Sequence, residues 1–319
     1  MIKFANDQVK TMAHQSPAPN PESHIKDVFT AFREGVAQLA HHRVPAAAFT
    51  AEMLMLHTLG RDRAWFYAHP ESDLDAATRE KYFSLIALRA SGVPTQHLTG
   101  RQEFWGLEIE ATPDVLIPRP ETEHLIEVAL ERLRVSSDTG PLLGKDKLHI
   151  ADVGTGSGCI AIALAHEFPA AHVTATDISV PALVVARRNA TRHNCETRID
   201  FIECDLLSGV DHDSTTFDLI VSNPPYVGHW EAATLSREVR EHEPALALFG
   251  GETGTEIYAP LIQQAAVRLK PGGTLVLELG HTSAEYVSNL LCSPLWTGLA
   301  ITNDLAGIPR VASAQRRSD

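Results

Sequence analysis

The sequence predicts an α/β fold in which a mostly parallel sheet, covered by helices on both faces, follows a small all-α domain. From Leu148 onward, short apolar segments alternate with segments of helical periodicity, which is typical of a parallel sheet flanked by helices. Residues 23–100 show helical periodicity. A glycine-rich turn at residues 154–158 follows the first strand of the larger domain. Because open α/β sheets bind ligands at this end of their strands, the turn marks a candidate site.

Changes in composition divide the chain into segments. Residues 1–22 are predicted to form a flexible tail, since they hold three prolines in a short polar run. Residues 23–100 are predicted to form a helical domain, 101–118 a β-hairpin linker and 119–319 the α/β domain. The helical domain contains no cluster of potential metal ligands or nucleophiles. Its default role is therefore that of a scaffold or of a partner-recognition domain.

The helical domain is predicted to contain three helices. Apolar residues recur at helical spacing over 25–39, and further helices are expected over 45–59 and 76–90. In the linker, residues 102–117 are expected to form a hairpin that turns at 112–114.

The α/β domain is predicted to alternate strands and helices after a polar loop at 136–147. The predicted strands cover residues 148–153, 171–175, 199–204, 217–222, 274–279, 299–305 and 310–314. The predicted helices cover residues 159–167, 183–193, 257–269 and 283–291, the third being ended by the Pro-Gly-Gly run at 271–273.

The glycine-rich turn predicts a cofactor site. Its small residues let the backbone approach a polar ligand group at a helix N-terminus, and they are Gly154, Thr155, Gly156, Ser157 and Gly158. Asp177 ends the next strand, where a carboxylate can accept hydrogen bonds from both hydroxyls of a ribose. A dinucleotide would require the third glycine one position later, so the spacing favours S-adenosylmethionine. Asp205 ends the third strand, where it either meets an adenine amino group or only caps the strand.

The Asn-Pro-Pro-Tyr stretch at 223–226 predicts a site for a planar NH₂ group. Two prolines end the preceding strand and make a rigid loop at its carboxyl end. The side-chain oxygen of Asn223 and the carbonyl of Pro224 can each accept one N–H bond, and the ring of Tyr226 can stack on a flat amide. With Pro225 these residues form the candidate substrate site. The alternative is a strand-terminating turn without chemistry.

Composition excludes several classes of protein. The chain of 319 residues is 44% hydrophobic and 21% charged, as globular proteins are. A formal net charge of −13 argues against a protein built to grip phosphate backbones, so no direct nucleic-acid partner is expected. The four cysteines show no C-x-x-C pair, which indicates neither a disulfide framework nor a metal site and fits the cytoplasm. No apolar run reaches membrane-spanning length, and the N-terminal residues lack the apolar core that is expected of a signal peptide.

Taken together, nine stretches of the chain resemble the release factor glutamine methyltransferases, known as PrmC or HemK. The stretches are 92–100, 103–107, 115–123, 152–163, 176–179, 223–226, 242–248, 277–280 and 304–307. The resemblance implies a Rossmann-like class I methyltransferase domain, with an antiparallel strand near the C-terminus, that uses S-adenosylmethionine. It also implies that the helical domain recognises a class I peptide chain release factor. The methyl group would go to the glutamine nitrogen N5 of the Gly-Gly-Gln loop, which modulates translation termination.

The resemblance also assigns roles to residues. It implies that Asn223, Pro224 and Tyr226 are catalytic, and that Leu206 and Asn223 join the cofactor site. Departures from the family pattern are His97 and His242, where tyrosine is frequent, Leu206, where some members have an aromatic residue, and Ile308-Pro309, where polar residues are common. The glycine turn and the loop at 223–226 are unaffected.

Three alternatives share parts of these features. Ribosomal-protein glutamine methyltransferases have the same loop but resemble this chain less at residues 119–123. DNA adenine methyltransferases also bind a planar NH₂ group, but they flip a base and need a positive track for DNA. A non-catalytic release-factor adapter would not need a cofactor signature. Oligomeric state is not indicated by the sequence.

Overall fold

The computed structural model describes residues 27–135, 148–211 and 216–318. The chain divides into two compact units, Met1–Ser91 and Gly92–Asp319. The predicted tail at 1–22 and the predicted polar loop at 136–147 lie outside the described residues.

The first unit is helical, as predicted. Its helices are α1 (Val28–His41), α2 (Ala47–Leu59), α3 (Arg63–Ala68) and α4 (Ala76–Ala90). Aspartates that precede α1, α3 and α4 accept hydrogen bonds from backbone N–H groups in the first turn and so cap these helices. Helices α1, α2 and α4 pack against one another. The short helix α3 was not predicted, since six residues carry too little periodicity.

The second unit begins with α5 (Thr95–Thr99) and a two-stranded hairpin, β1 (Arg101–Phe104) and β2 (Leu107–Glu110). The predicted turn at 112–114 is wrong, because the hairpin turns at Trp105-Gly106, where both residues have positive φ. Two-residue turns of this kind match the twist of the paired strands. Residues 115–117 therefore form no strand, although Val115 is buried.

A seven-stranded sheet forms the centre of the second unit, in the order β5-β4-β3-β6-β7-β9-β8. Its strands are β3 (His149–Val153), β4 (His172–Asp177), β5 (Ile199–Glu203), β6 (Phe217–Ser222), β7 (Leu269–Glu278), β8 (Trp296–Asn303) and β9 (Pro309–Arg316). Strands β3 to β7 pair in parallel, and β9 is antiparallel to both β7 and β8. The predicted fold class is confirmed, including the antiparallel strand.

Helices cover both faces of this sheet. They are α6 (Glu123–Val135), α7 (Cys159–Glu167), α8 (Val180–Arg192), α11 (Tyr258–Arg268) and α12 (Ala284–Leu291). Two short helices, α9 (Arg237–His242) and α10 (Ala245–Leu248), lie in the segment between β6 and α11. Alternate strand residues enter two cores, one shared with α6, α7 and α8 and the other with α11 and α12. Both faces are therefore buried, which explains the continuous apolar runs in these strands.

Strand β7 starts earlier than predicted. Helix α11 ends at Arg268, and the Pro-Gly-Gly run at 271–273 lies inside β7, where the pairing with β6 shifts register. Glycine and proline are tolerated in a strand at such an irregularity. The run therefore interrupts a strand and does not terminate the helix.

The sheet order places the candidate site. The chain leaves β3 towards β4 and β5, then returns to pair β6 on the other side of β3. Ligands of doubly wound sheets bind at such a switch point, outside the carboxyl ends of the strands. The glycine turn follows β3 and the loop at 223–226 follows β6. Over the three described ranges, the helices all fall short of the length and apolar character that crossing a membrane requires.

Candidate active site

The glycine turn after β3 is held against the neighbouring strand. The N–H groups of Gly154 and Thr155 donate to the Thr176 carbonyl, at 2.8 and 2.9 Å. Gly154 and Gly156 have φ of +73° and +54°, and a Cβ added to either would meet no atom within 4 Å. Their bare backbone therefore faces open space, as a ligand-binding turn requires.

Gly158 has a packing role in this turn. A Cβ at this position would lie 3.1 Å from the Cβ of Ala186 on α8. The residue permits close approach of the two helices. It does not line the cavity described below, whereas the other four predicted turn residues do.

Asp152 lies beneath the turn. Its Oδ2 accepts hydrogen bonds from the Thr155 hydroxyl at 2.7 Å and from the Ala161 N–H at 3.1 Å. The side chain is fully buried, and burial raises the pKa of Asp152 to about 7. Asp152 thus links the turn to the start of α7, a role that the sequence signalled only through its place in the glycine motif.

Asp177 is the last residue of β4, as predicted. Its Oδ2 accepts the Gly156 N–H and its Oδ1 accepts the Ser179 N–H, both at 2.8 Å. Burial raises the pKa of Asp177, and these two N–H groups act in the opposite direction. Each carboxylate oxygen has a second lone pair, so the side chain can still accept two further hydrogen bonds.

The loop after β6 places an amide beside a buried hydroxyl. Asn223 Nδ2 donates to Thr122 Oγ1 at 3.1 Å, and Thr122 is 2% exposed. Tyr226 donates its hydroxyl to Glu278 Oε1 at 3.0 Å, and its ring packs against the core shared with α11 and α12. Burial raises the pKa of Tyr226. Because of its contacts with Glu278 and the core, Tyr226 lies behind the loop, and it is not part of the cavity lining.

A second loop supports the loop at 223–226 by backbone contacts. Val227 N–H donates to the Leu248 carbonyl at 2.9 Å, and Gly250 N–H donates to the Val227 carbonyl at 3.0 Å. A Cβ on Gly250 would lie 2.2 Å from the Pro225 carbonyl oxygen. Sequence reasoning missed this contact, although the glycine-rich run at 250–254 was a signal for close backbone approach.

An ion pair closes part of the cavity wall. Arg119 contacts Glu243 through Nη2 and Oε1, and Glu243 Oε2 accepts the Ile117 N–H at 3.2 Å. Glu243 is 7% exposed. Two of the family departures lie beside this pair: burial lowers the pKa of His97, and the charges of His242 and Arg119 lower it further.

These elements enclose a cavity of about 330 Å³. Its lining includes most of the predicted site residues, namely Gly154, Thr155, Gly156, Ser157, Asp177, Asp205, Leu206, Asn223, Pro224 and Pro225. Ile178, which is 53% exposed, also lines it and was not predicted.

The charge of the cavity lining indicates which cofactor the cavity can hold. Four acidic residues, Asp114, Asp177, Asp205 and Glu256, line the cavity, and the basic Arg119 is paired with Glu243. Such a surface suits a cation with hydroxyl and amino groups and disfavours the pyrophosphate of a dinucleotide. Together with the bare glycine turn, it fits S-adenosylmethionine. No group of three or more His, Cys, Asp or Glu among the described residues could hold a metal ion.

Comparison with known proteins gives the family. Residues 30–100 match the PrmC N-terminal domain and residues 141–243 match the methyltransferase small domain. A release factor glutamine methyltransferase from Koribacter versatilis is 42% identical over 90% of this chain and 97% of its own length. The chain belongs to the release factor glutamine methyltransferase family. It is a methyltransferase with S-adenosylmethionine as its cofactor, and the predicted family, enzyme class and cofactor are confirmed.

A second relative agrees with this assignment, and a solved structure shares the fold. A release factor glutamine methyltransferase from Chlorobaculum tepidum is 42% identical over 86% of this chain and 92% of its own length. The hMettl16 catalytic domain, solved in complex with MAT2A 3'UTR hairpin 1, matches 89% of this chain and 92% of its own with a TM-score of 0.54. At 18% identity, that likeness shows the fold alone.

Proposed function

We propose that this chain transfers a methyl group from S-adenosylmethionine to the glutamine side-chain nitrogen N5 in the Gly-Gly-Gln loop of peptide chain release factors. The observation that carries the proposal is the Asn223 amide, which is hydrogen-bonded to Thr122 and lines the same cavity as the glycine turn and Asp177. Relatives that match most of this chain are named release factor glutamine methyltransferases, and that name gives a release factor glutamine as the methyl acceptor.

The residues of the cofactor half of the cavity match the chemical groups of S-adenosylmethionine in this proposal. When bound, S-adenosylmethionine supplies an electrophilic methyl group attached to a positively charged sulfur. Asp177 accepts the ribose hydroxyls with its two remaining lone pairs. The backbone of the glycine turn meets the polar methionine part, and Asp205 meets the adenine amino group. Leu206 and Ile178 give apolar surface for the base in place of an aromatic residue.

The acceptor half of the cavity must activate a poor nucleophile. An amide nitrogen is unreactive because its lone pair is delocalised into the carbonyl. Asn223 Oδ1 and the Pro224 carbonyl accept the two N–H bonds of the substrate amide and aim its nitrogen at the methyl group. The same two oxygens stabilise the positive charge that develops on this nitrogen.

Proton loss needs no strong base in this proposal, because an N-protonated amide is a strong acid. The histidine that follows the loop, His229, is exposed and stacks on Phe249 with ring centroids 4.8 Å apart. We therefore assign it no proton transfer. Tyr226 supports the loop from behind, and stacking of its ring on the substrate amide stays a prediction.

The helical unit is assigned to recognition of the release factor. We keep the boundaries predicted from the sequence, with recognition by residues 23–100, a linker at 101–118 and transfer by 119–319. The absence of chemistry-bearing clusters in the helical segment and its match to the PrmC N-terminal domain support this division.

The proposal is tested by following labelled methyl from S-adenosylmethionine into three purified acceptors: a class I release factor, ribosomal protein and double-stranded DNA. We expect label in the release factor, and none in a matched release factor whose Gly-Gly-Gln glutamine is replaced by alanine. Label in ribosomal protein or DNA instead, or equal labelling of the alanine variant, would overturn the proposed substrate. Failure to bind S-adenosylmethionine would favour the adapter alternative.

A further inference from the structure

Asn223 can present either end of its amide to the cavity, and the two ends have opposite chemistry. The oxygen accepts an N–H bond from a substrate NH₂ group, whereas the nitrogen would oppose that group with a second donor. Under the proposed function, only the first orientation is productive. Something other than Asn223 itself must therefore fix the direction of the amide.

Thr122 is the partner that sets this direction. Its Oγ1 lies 3.1 Å from Asn223 Nδ2, and the side chain is 2% exposed, so water cannot exchange freely at this contact. A hydroxyl carries one proton and two lone pairs. If its proton goes elsewhere, the oxygen can only accept from Asn223, and the Asn223 nitrogen must face Thr122.

Glu278 supplies the second acceptor. It ends β7 and is 1% exposed. Its Oε1 accepts the Tyr226 hydroxyl at 3.0 Å. Its Oε2 accepts no hydrogen bond from the described part of the chain, which leaves an acceptor for the Thr122 hydroxyl. Burial raises the pKa of Glu278, and the hydroxyls of Thr122 and Tyr226 and the charge of Arg310 oppose that rise.

We propose that Glu278 and Thr122 are positioning residues that fix the Asn223 amide with its oxygen towards the substrate glutamine. In its ionised form Glu278 can accept but not donate, so the Thr122 hydroxyl then donates to Glu278 and the Thr122 oxygen accepts from Asn223. Glu278 also accepts the hydroxyl of Tyr226 in the same loop. One buried carboxyl group therefore positions both the first and the last side chain of residues 223–226. This inference rests on the proposed function of Asn223.

The first test removes the hydroxyl of Thr122 without changing its shape. Thr122→Val should slow single-turnover methylation of a release factor by roughly 10–100-fold, the usual effect of losing an orienting partner of a functional group. Cofactor affinity, measured by titration, should not change. Thr122→Ser keeps the hydroxyl and should recover most of the rate. Thr274→Val is the matched control, since Thr274 is 1% exposed and its hydroxyl has no hydrogen-bond partner among the described residues.

The second test reverses the hydrogen-bond direction. Glu278→Gln keeps an acceptor for Tyr226 but can donate its NH₂ to Thr122, which frees the Thr122 proton for the Asn223 oxygen. We expect a loss of similar size to that in Thr122→Val, and we expect no further loss when the two changes are combined, because both act through one contact.

The results separate this inference from the proposed function. Wild-type transfer rates in Thr122→Val, a rate in Thr122→Ser as low as in Thr122→Val, or fully additive losses in the double variant would overturn the positioning role. Should Thr122→Val fail to fold, a wild-type transfer rate in Glu278→Gln would overturn the positioning role by itself. If instead the wild-type enzyme labels no release factor, the proposed function fails and this inference fails with it.

Discussion

At the scale of single residues, Asp177 shows how one carboxylate can both hold a turn and remain open to a ligand. Its oxygens accept the Gly156 and Ser179 N–H groups, and each keeps a lone pair for a ribose hydroxyl. The sequence was sufficient to predict this role, because a carboxylate that ends the strand after a glycine turn lies at the ligand-binding end of the sheet.

Asp177→Ala should therefore weaken cofactor binding. It removes charge-assisted hydrogen bonds, each worth on the order of 1.5–3 kcal/mol. Calorimetric titration of S-adenosylmethionine measures the effect. Asp200→Ala serves as control, because Asp200 is an exposed carboxylate on the neighbouring β5 that contacts His172. Equal affinities in the two variants would remove Asp177 from the cofactor site.

Asp152 predicts a pH dependence of stability. Its pKa is raised from 3.8 to about 7 in the folded chain, so between these values the folded state holds one proton more than the unfolded state. By linkage, the free energy of unfolding falls as pH rises through this window, by up to about 1.4 kcal/mol per pH unit, and levels off above the folded pKa.

Asp152→Asn should remove this dependence, because an amide cannot ionise and still offers an oxygen to Thr155 and Ala161. In urea unfolding, the variant should gain stability relative to the wild type as pH rises from about 5 to about 7. Asp177 and Glu278 are present in both proteins, so the difference reports the ionisation of Asp152 together with its repulsion by Asp177. Parallel stability profiles would contradict the raised pKa.

The sequence did not predict side chains whose roles depend on contacts between distant segments of the chain. Thr122 lies 101 positions before Asn223, and no local pattern connects them. Glu278 was recognised only as part of a family stretch, since a buried carboxylate at a strand end has no signature of its own. Such side chains are identified by tertiary contacts, which the fold brings together after the local elements have formed.

At the scale of elements, the loop at 248–256 determines where the loop at 223–226 sits. The two loops exchange backbone hydrogen bonds at Val227, and Gly250 approaches the Pro225 carbonyl without room for a side chain. Glu256 stabilises this second loop by accepting the N–H groups of Thr253 and Thr255, both at 2.9 Å, and these contacts lower its pKa to about 2.

Gly250→Ala should displace the loop that carries Asn223. The added Cβ would lie 2.2 Å from the Pro225 carbonyl oxygen, so the backbone must move. We expect a stability loss of about 1–3 kcal/mol and slower methyl transfer. Gly272→Ala is the control, because φ of +77° strains the backbone there while an added Cβ meets nothing within 4 Å.

That control should lose stability but keep its transfer rate, as shown by unfolding and single-turnover assays of both variants. If Gly250→Ala transferred methyl as fast as Gly272→Ala, the support given by this loop would be excluded.

Most elements were predictable because their periodicity is strong. Helices over 76–90 and 159–167 were predicted with the bounds observed for α4 and α7. The hairpin turn was misplaced because Trp105 and Gly106 both adopt positive φ. Tryptophan rarely does so, and the local sequence does not indicate it. The start of β7 was missed because a Pro-Gly-Gly run normally ends an element.

At the scale of the whole molecule, the chain combines a helical unit with an α/β unit whose described residues line an acidic cavity. Strand–helix alternation was sufficient to predict the fold class, since a parallel sheet must be covered on both faces. The extent of the cavity was not predictable, because its wall includes Arg119, which is held by Glu243 from a distant part of the chain.

The helical unit presents apolar surface that a recognition role would use. Phe49 on α2 is 55% exposed. Phe49→Ser should raise KM for an intact release factor about five- to tenfold, since truncating an interface aromatic costs over 1 kcal/mol. Methylation of a short Gly-Gly-Gln peptide should not change, because the peptide engages only the transfer site.

Val267→Ser provides the control for this effect, as Val267 is 63% exposed on α11 of the other unit. Steady-state kinetics with both substrates would be compared for the three proteins. An unchanged KM for the intact release factor would argue against recognition through this part of α2.

The central claim is that the Asn223 amide receives the substrate glutamine, and the most direct measurement is single-turnover methyl transfer by Asn223→Ala to a release factor containing Gly-Gly-Gln. We predict a rate lower by roughly 10²–10³, the effect of deleting one preorganised polar contact to developing charge, with cofactor affinity in the same variant nearly unchanged. Asn223→Asp should show an intermediate loss, since it keeps an acceptor oxygen but cannot donate to Thr122. A wild-type rate in Asn223→Ala would contradict the account.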